Sequence, residues 1–444
     1  MKIRKYFDPE IEMMDREELE ALQLYRLKLQ LRKCYRHSEF YNEKFKKSGI
    51  KPDDIQSLED VVNLPFVTKS ELREEQQTYP HFGRYTVAPP ETWAEFHPSP
   101  GTTGAPVNTI WSHEDVKQIS KWTARTMWTF GVRPGDIIQN MFGYGIWVAG
   151  IAIHNASREL GCFLIPVGAI KSERQIDYLL NPGSTVLIGT PSYALYTAEK
   201  LKLKGISPEE IPLKIGCFGG EVGAEIPATR ERIEKGLGIE AFDCYGLAEI
   251  GPTIAMECPH KAGIHWIEDH LLVEVIDPET KKPCSPGQAG ILVLTHLSKE
   301  ATPLIRFWTN DLASLNKKKC KCGRTHARSV GGILGRAEDI FSCKGCKIFP
   351  AQVEKVIRGI HELSHEFCVE LATDPHTGAE VCTIVIEYHQ EEDIPKITHQ
   401  LEKGFEQECK VIPEMRFVPM GTLKRTTMKA KRIIDQREKK RSED

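Results

Sequence analysis

The segment PSPGTTGAP, residues 98 to 106, concentrates glycine, threonine and serine, a composition whose backbone amides and hydroxyls can wrap phosphate oxygens. No Gly-Lys-Ser/Thr follows at P-loop spacing, so by itself the segment reads first as a tight turn. Farther along stand Tyr245 and Glu249 in YGLAE, Asp311 in TND, Arg336 in GRAED and Lys429 in TTMKAKR. Taken singly, Glu249 is a solvated helix-end acid, Tyr245 a strand residue in the core, Asp311 a surface acid and Lys429 part of a basic solvated face. The second group able to do chemistry is made of cysteines. Thirteen are present, an odd count, and several, such as Cys217 and Cys368, sit in apolar strand-like runs, which points to reduced thiols. Cys258 and His265 followed by Cys320 and Cys322 supply four soft or borderline ligands, sufficient for a closed, structural zinc site. The spacings C-x6-H and C-x-C are not those of a standard finger, His260 could stand in for His265, and ordinary reduced cysteines remain the alternative. Cys343 and Cys346 have redox-motif spacing without a thioredoxin-like context and are read as incidental.

The elements that must position these groups fall into a few blocks. A chain of 444 residues exceeds one ordinary core and implies two or three domains. The first sixty residues are charged and helix-periodic, with no strand signal before about residue 85. From Asp136 short apolar runs alternate with helical stretches: DIIQNMF, GCFLIPVG, STVLIGT, LKIGCFGG and IEAFDCYG. Such alternation predicts parallel strands with crossover helices, hence an α/β fold with a doubly wound, mostly parallel sheet. HLLVEVIDP, AGILVLTHL and PLIRFW follow without long helices between them and predict an antiparallel subdomain. After Gly335 comes a small α+β domain in the order hairpin, helix, strand, strand, helix, strand, ending in a charged tail. The expected division is therefore 1–335, with 1–60 as a helical lead-in, and 336–444 as a mobile C-terminal domain.

The ordered set of loop, YGLAE, TND and GRAED resembles the adenylate-forming, acyl-CoA synthetase-like superfamily. LPFVTKSELRE, FGYGIW at 142 to 147, DCYGLAE, HWIEDHLLVEVIDPET, KEATPLIRFWTND, CKCGRTHAR, KIFPAQVE and KAKR resemble the phenylacetate-CoA ligase family, over about residues 5 to 435. The resemblance implies an acid–thiol ligase that uses ATP, Mg2+ and coenzyme A on a small-molecule carboxylate, an aryl or arylacetic acid. It implies that Ser99, Gly101, Thr102, Thr103 and Gly104 hold phosphates, and that Gly220, Glu221, Asp243, Tyr245 and Gly246 surround the nucleotide. Tyr245 would face the adenine, Asp311 would accept the ribose hydroxyls with Arg336 assisting, and Glu249 would organise the magnesium. Phe142, Tyr144, Trp147, Gly219 and Gly220 would line the acyl pocket, although core packing explains Phe142 equally well. The small domain would turn about Glu338 or Asp339, bringing Lys429 to the carboxylate and α-phosphate in one arrangement and Lys344 and Gly345 to the thiol in the other. Such chemistry needs the triphosphate neutralised, the ribose gripped and the pyrophosphate held with magnesium.

Departures from the family pattern qualify these expectations. Pro100 stands where a second serine is common, and Ala105 where a lysine usually follows the loop. Asn310 replaces the glycine of TGD, Glu338 an aspartate and Met428 a glycine, while Trp147 and Gly220 imply a reshaped acyl pocket. Two alternatives stay open: a related branch that adenylates a deazaflavin coenzyme without forming a thioester, and a non-catalytic nucleotide-binding homologue. With 59 Lys plus Arg against 62 Asp plus Glu, no field marks a nucleic-acid or membrane partner. No signal-peptide pattern is seen at the start and the apolar run 146–153 is too short to span a bilayer, so a cytoplasmic protein is expected, with a homodimer as the oligomer to test.

Overall fold

The computed structural model describes residues 4–99, 105–170, 172–373, 380–424 and 432–437. The chain packs as two compact units, one comprising Met1–Gly189, Pro212–Gly220 and Phe242–Ile333, the other Thr190–Ile211, Glu221–Ala241 and Leu334–Asp444.

The first unit is built on an eight-stranded sheet. From one edge its strands are Arg328–Ser329, Ile264–Trp266, Gly251–Glu257, Glu240–Leu247, Ile215–Gly219, Val186–Gly189, Ile137–Asn140 and Phe163–Ile165. Ile137–Asn140 runs parallel to both Phe163–Ile165 and Val186–Gly189, and Val186–Gly189 runs parallel to Ile215–Gly219. Val186–Gly189 and Ile215–Gly219 are apolar without alternation because both faces are covered; all four residues of Val186–Gly189 are buried. Beyond Glu240–Leu247 the pairing turns antiparallel through Gly251–Glu257 and Ile264–Trp266. The helix His113–Phe130 opens with a capping box in which Ser112 Oγ accepts from Asp115 N and the Asp115 carboxylate accepts from Ser112 N. A second sheet orders Val67–Thr68, Phe307–Ala313, Gly290–His296 and Leu271–Ile276, with the last three antiparallel. Val67–Thr68 is a two-residue strand that lies ahead of the region where strand signals begin in the sequence; it is too short to carry a period, and its parallel partner Phe307–Ala313 dictates it. The lead-in is helical at Arg16–His37 and Glu39–Lys47, burying Leu19, Leu27, Leu31, Tyr41 and Phe45.

In the second unit a four-stranded sheet runs Glu414–Pro419, Glu380–Tyr388, Leu363–Thr373, Ile433–Asp435. The helices Pro350–Arg358 and Ile394–Cys409 bury Val353, Ile357, Leu401 and Phe405 in one core with Phe367, Val369, Ile384 and Ile386. The helices Pro191–Leu203 and Pro227–Leu237 belong to this unit. Arg232 fastens the second of them by donating to the carbonyls of Arg358, at 2.9 Å, and Leu363, at 3.1 Å. Among the described residues no helix is long and apolar enough to cross a membrane.

Candidate active site and metal centre

The Gly/Thr-rich segment is the connection of an antiparallel hairpin, Trp93–Pro98 with Asn108–Ser112, in which Pro98 faces Asn108. Gly101, Thr102, Thr103 and Gly104 lie outside the described residues, as does Lys429. Ser99, at the mouth of the connection, is buried, and its hydroxyl accepts from Val107 N at 3.0 Å while its own N–H reaches Val107 O at 2.8 Å.

Sixty-six residues apart in sequence, Tyr245 and Asp311 meet: the phenol donates to Asp311 Oδ2 at 2.6 Å, with both residues buried. Tyr245 sits edge-on to Trp266, ring centroids 5.7 Å apart, so its ring orientation is fixed at both ends. Asn310, next to Asp311, has φ +64°, the left-handed region where asparagine is tolerated best after glycine. The replacement of the glycine in TGD thus keeps the turn that presents Asp311. Glu249 is 4% exposed and is met by a cation, Lys69 Nζ, at 2.6 Å from Oε1. Asp243, buried in the strand that carries Tyr245, takes a backbone bond to Glu257 Oε2 at 2.8 Å. At Gly246 an added Cβ would come within 2.7 Å of Thr253 N.

The FGYGIW segment follows the end of the strand Ile137–Asn140 and is organised by Asn140, which is fully buried. Asn140 Nδ2 donates to Tyr144 Oη at 3.0 Å and to Gly150 O at 3.1 Å, and Asn140 Oδ1 accepts from Phe142 N at 3.1 Å. Phe142 is buried with its ring centroid 6.0 Å from that of half-buried Trp147. Burial pushes the Tyr144 phenol above its ordinary pKa, leaving it a neutral donor. His97 steadies the far end of the segment, with Nδ1 3.1 Å from Ile146 O. At Gly219 a Cβ would lie 2.4 Å from Cys244 O, so only glycine lets these strands approach. Gly220 follows at φ +88°. Asn140, His97 and Lys69 were not singled out from the sequence; a polar residue ending an apolar strand was the only signal for Asn140.

The remaining candidates lie in the second unit. Glu221 accepts from Ser192 N at 2.8 Å. Arg336 pairs with Glu338 in the short turn Ala337–Asp339. Lys344 and Gly345 form the tip of the hairpin Phe341–Cys343 with Cys346–Ile348, both at positive φ, and Lys344 Nζ donates to Ile412 O at 2.9 Å.

Cys258, His265, Cys320 and Cys322 converge, all buried, with their ligand atoms within 4.8 Å of one another. Cys258 Sγ lies 3.9 Å from Cys320 Sγ, and Cys322 Sγ lies 3.6 Å from His265 Nε2. A tetrahedron with ordinary zinc bond lengths places sulfurs about 3.8 Å apart and sulfur and nitrogen about 3.6 Å apart, so the donor set fits that ion. A disulfide would need sulfurs at about 2 Å. His260 is exposed, which leaves His265 as the nitrogen donor. Cys258 donates towards Cys322, which holds the Cys322 thiol well below its ordinary pKa, and burial keeps His265 neutral, so both are ready to bind a cation.

Residues 345–437 match the AMP-binding enzyme C-terminal domain. The chain is 40% identical over 359 residues to the phenylacetate-coenzyme A ligase of Thermus thermophilus, spanning 80% of this chain and 79% of that protein. To the phenylacetate-coenzyme A ligase of Pseudomonas putida it is 33% identical over 440 residues, 98% of each. Among solved structures, 2-hydroxyisobutyryl-CoA ligase in complex with 2-HIB-AMP superposes with TM-score 0.92 at 27% identity, over 98% of this chain and 93% of that one. The same ligase in complex with 2-HIB-AMP and CoA gives TM-score 0.74 at 28% identity, with the same coverage. The structural match to 2-hydroxyisobutyryl-CoA ligase and the C-terminal match place the chain in the class of adenylate-forming ligases. Within it, the chain belongs to the phenylacetate-CoA ligase family, whose members are AMP-forming acid–thiol ligases.

Proposed function

We propose that this protein activates a carboxylate, an aryl or arylacetic acid, with ATP to give acyl-AMP and pyrophosphate, and that coenzyme A then displaces AMP to give the acyl-CoA. The observation that carries the reading is the buried Tyr245–Asp311 contact at 2.6 Å, set in the same unit as the buried Glu249. A carboxylate whose one oxygen is already steadied by a phenol retains lone pairs for ribose hydroxyls. Glu249 would hold Mg2+ together with the ATP phosphates, and the ion would neutralise charge on the departing pyrophosphate. Lys69 Nζ lies 2.6 Å from Oε1 of this carboxylate, so the ion would share Glu249 with that ammonium. Gly220, Glu221, Asp243, Gly246 and Arg336 are assigned to the nucleotide, and Phe142, Tyr144, Trp147, Gly219 and Gly220 to the acyl group. Glu338 or Asp339 would serve as hinge, Lys344 and Gly345 would face coenzyme A, and Ser99 with the segment 101–104 would take phosphates. Lys429 would align carboxylate and α-phosphate as a point charge. The zinc assigned to Cys258, His265, Cys320 and Cys322 is structural, since four protein ligands leave no open position.

Support for the acceptor comes from relatives named as coenzyme A ligases and from the 2-hydroxyisobutyryl-CoA ligase complex with CoA. The test is to incubate the protein with MgATP and a panel of aryl, arylacetic and short hydroxy acids, with and without coenzyme A, measuring pyrophosphate and thioester. Acid-dependent pyrophosphate with thioester is the expected result. Pyrophosphate without thioester would replace the acceptor and favour the deazaflavin-type branch; no turnover with any acid would leave a nucleotide-binding homologue. Lys429→Ala should abolish acyl-AMP formation while sparing thioester formation from preformed acyl-AMP, and equal loss in both steps would remove its assigned role.

A further inference from the structure

The Lys69–Thr78 helix runs beside the outgoing limb of the Gly/Thr-rich connection. Gln76 ties that limb with no charge involved: Nε2 donates to Pro106 O at 3.1 Å, and Oε1 accepts from Asn108 N at 2.7 Å and from the Tyr85 phenol at 2.6 Å. Arg73, on the same helix face, adds a bond from Nε to Ala105 O at 2.8 Å. A carbonyl needs only a neutral donor, as Gln76 demonstrates, so a guanidinium here brings a charge that the tie itself does not use. The acids around it are otherwise engaged. Glu71 caps Thr68 and pairs with Lys44, Glu75 pairs with Arg84 at 2.8 Å, and among the described residues the terminal nitrogens of Arg73 have no partner. One turn back, Lys69 occupies the first position of the helix, where the macrodipole disfavours a cation, and is held there by Glu249. Two cations are thus displayed one turn apart on one helix, the second against the backbone of Ala105.

We infer that Arg73 binds the terminal phosphates of ATP, supplying positive charge from the helix beside the Gly/Thr-rich connection. Arg73 presents its terminal N–H groups as a planar fork suited to phosphate oxygens, and the Nε bond to Ala105 fixes that fork's direction. The inference rests on the nucleotide reading above and narrows it to one side chain and one end of the nucleotide.

The test compares equilibrium binding of MgATP and of AMP to the wild-type protein, Arg73→Gln and Arg73→Lys by calorimetry. Arg73→Gln keeps an amide donor for Ala105 and drops the charge. It should lose about tenfold in MgATP affinity, the scale of one charge-assisted contact, and leave AMP affinity unchanged, while Arg73→Lys should retain most MgATP affinity. Equal losses for MgATP and AMP, or no loss in Arg73→Gln, would overturn the inference in favour of a loop-holding role. A wild-type protein that binds neither nucleotide would overturn the nucleotide reading itself, and the Arg73 assignment with it.

Discussion

At the scale of single residues, the site depends on side chains that are unremarkable in isolation and acquire meaning by meeting. Asp311 reads as a surface acid until Tyr245 is found 2.6 Å from it and both prove to be buried. Replacing Asp311 by Asn keeps the shape, and an acceptor for Tyr245, but removes the charge that would grip the ribose. We expect kcat/KM for ATP in the pyrophosphate-release assay to fall about 10- to 100-fold, the range for hydrogen bonds to a charged group. Tyr245→Phe leaves the carboxylate in place and removes one steadying bond, so a loss of about tenfold or less is expected. If Tyr245→Phe costs as much as Asp311→Asn, the phenol acts on the nucleotide directly rather than by steadying Asp311. Asn310 illustrates the converse: a departure from the family pattern that the backbone explains, since φ +64° is open to asparagine. Lys69 and Arg73 could not be singled out in the sequence, because KSELRE has the look of an ordinary solvated helix start.

At the scale of elements, the parallel strands were legible because a strand buried on both faces must be continuously apolar, and VLIG and IGCFG are. The hairpin flanking the Gly/Thr-rich connection was not, since WAEFHP alternates only weakly and its partner carries no turn signal of its own. The four metal-ligand candidates were legible from residue type alone, but which histidine joins them was settled by strand register, which buries His265 and leaves His260 exposed. The cysteine turn also organises the start of the chain. Tyr6 donates to Cys322 O at 2.7 Å, Arg324 Nε to Glu12 at 2.6 Å and Thr325 Oγ1 to Met14 O at 2.6 Å. Metal analysis should find one zinc per chain. Stripping it with a strong chelator should cost about 4 kcal/mol relative to free zinc at a thousand times Kd, or roughly 4 to 7 °C in unfolding midpoint. Proteolysis around residues 6–14 should appear at the same time, and Cys322→Ser should reproduce both effects. An unchanged midpoint with no bound metal would make these four residues reduced thiols and a core histidine.

At the scale of the whole molecule, pH reports on histidines that the fold keeps neutral. His296 is buried with Nδ1 accepting from Leu304 N at 2.9 Å, so its proton sits on Nε2, 2.8 Å from Ile250 O. Protonating Nδ1 would break the Leu304 bond and strand a cation near Lys299. Burial, reinforced by Lys299, therefore lowers its pKa to about 3. His270 is lowered to about 4, again chiefly by burial: Asp269 pulls the other way, but its charge is already shared with Arg125 at 2.6 Å. Both folded values lie below the ordinary 6.5. Above pH 6.5 neither state binds a proton at these rings and stability is unaffected by them. As pH falls through 6.5 the unfolded chain takes up protons that the folded chain refuses, and stability declines until the folded values are reached. At pH 5 each histidine should cost about 2 kcal/mol. The unfolding midpoint, measured with zinc present, should therefore drop steadily from pH 7 to pH 5. Protons compete with zinc for thiolates, so metal loss at acid pH would lower stability in the same direction, and the discriminating comparison is His296→Gln, which removes the ring and leaves Cys258, His265, Cys320 and Cys322 intact. That variant should start less stable at pH 7 and lose less between pH 7 and 5. A parallel decline in variant and wild type would remove His296 from the acid sensitivity and leave it to His270 and the cysteine–histidine cluster.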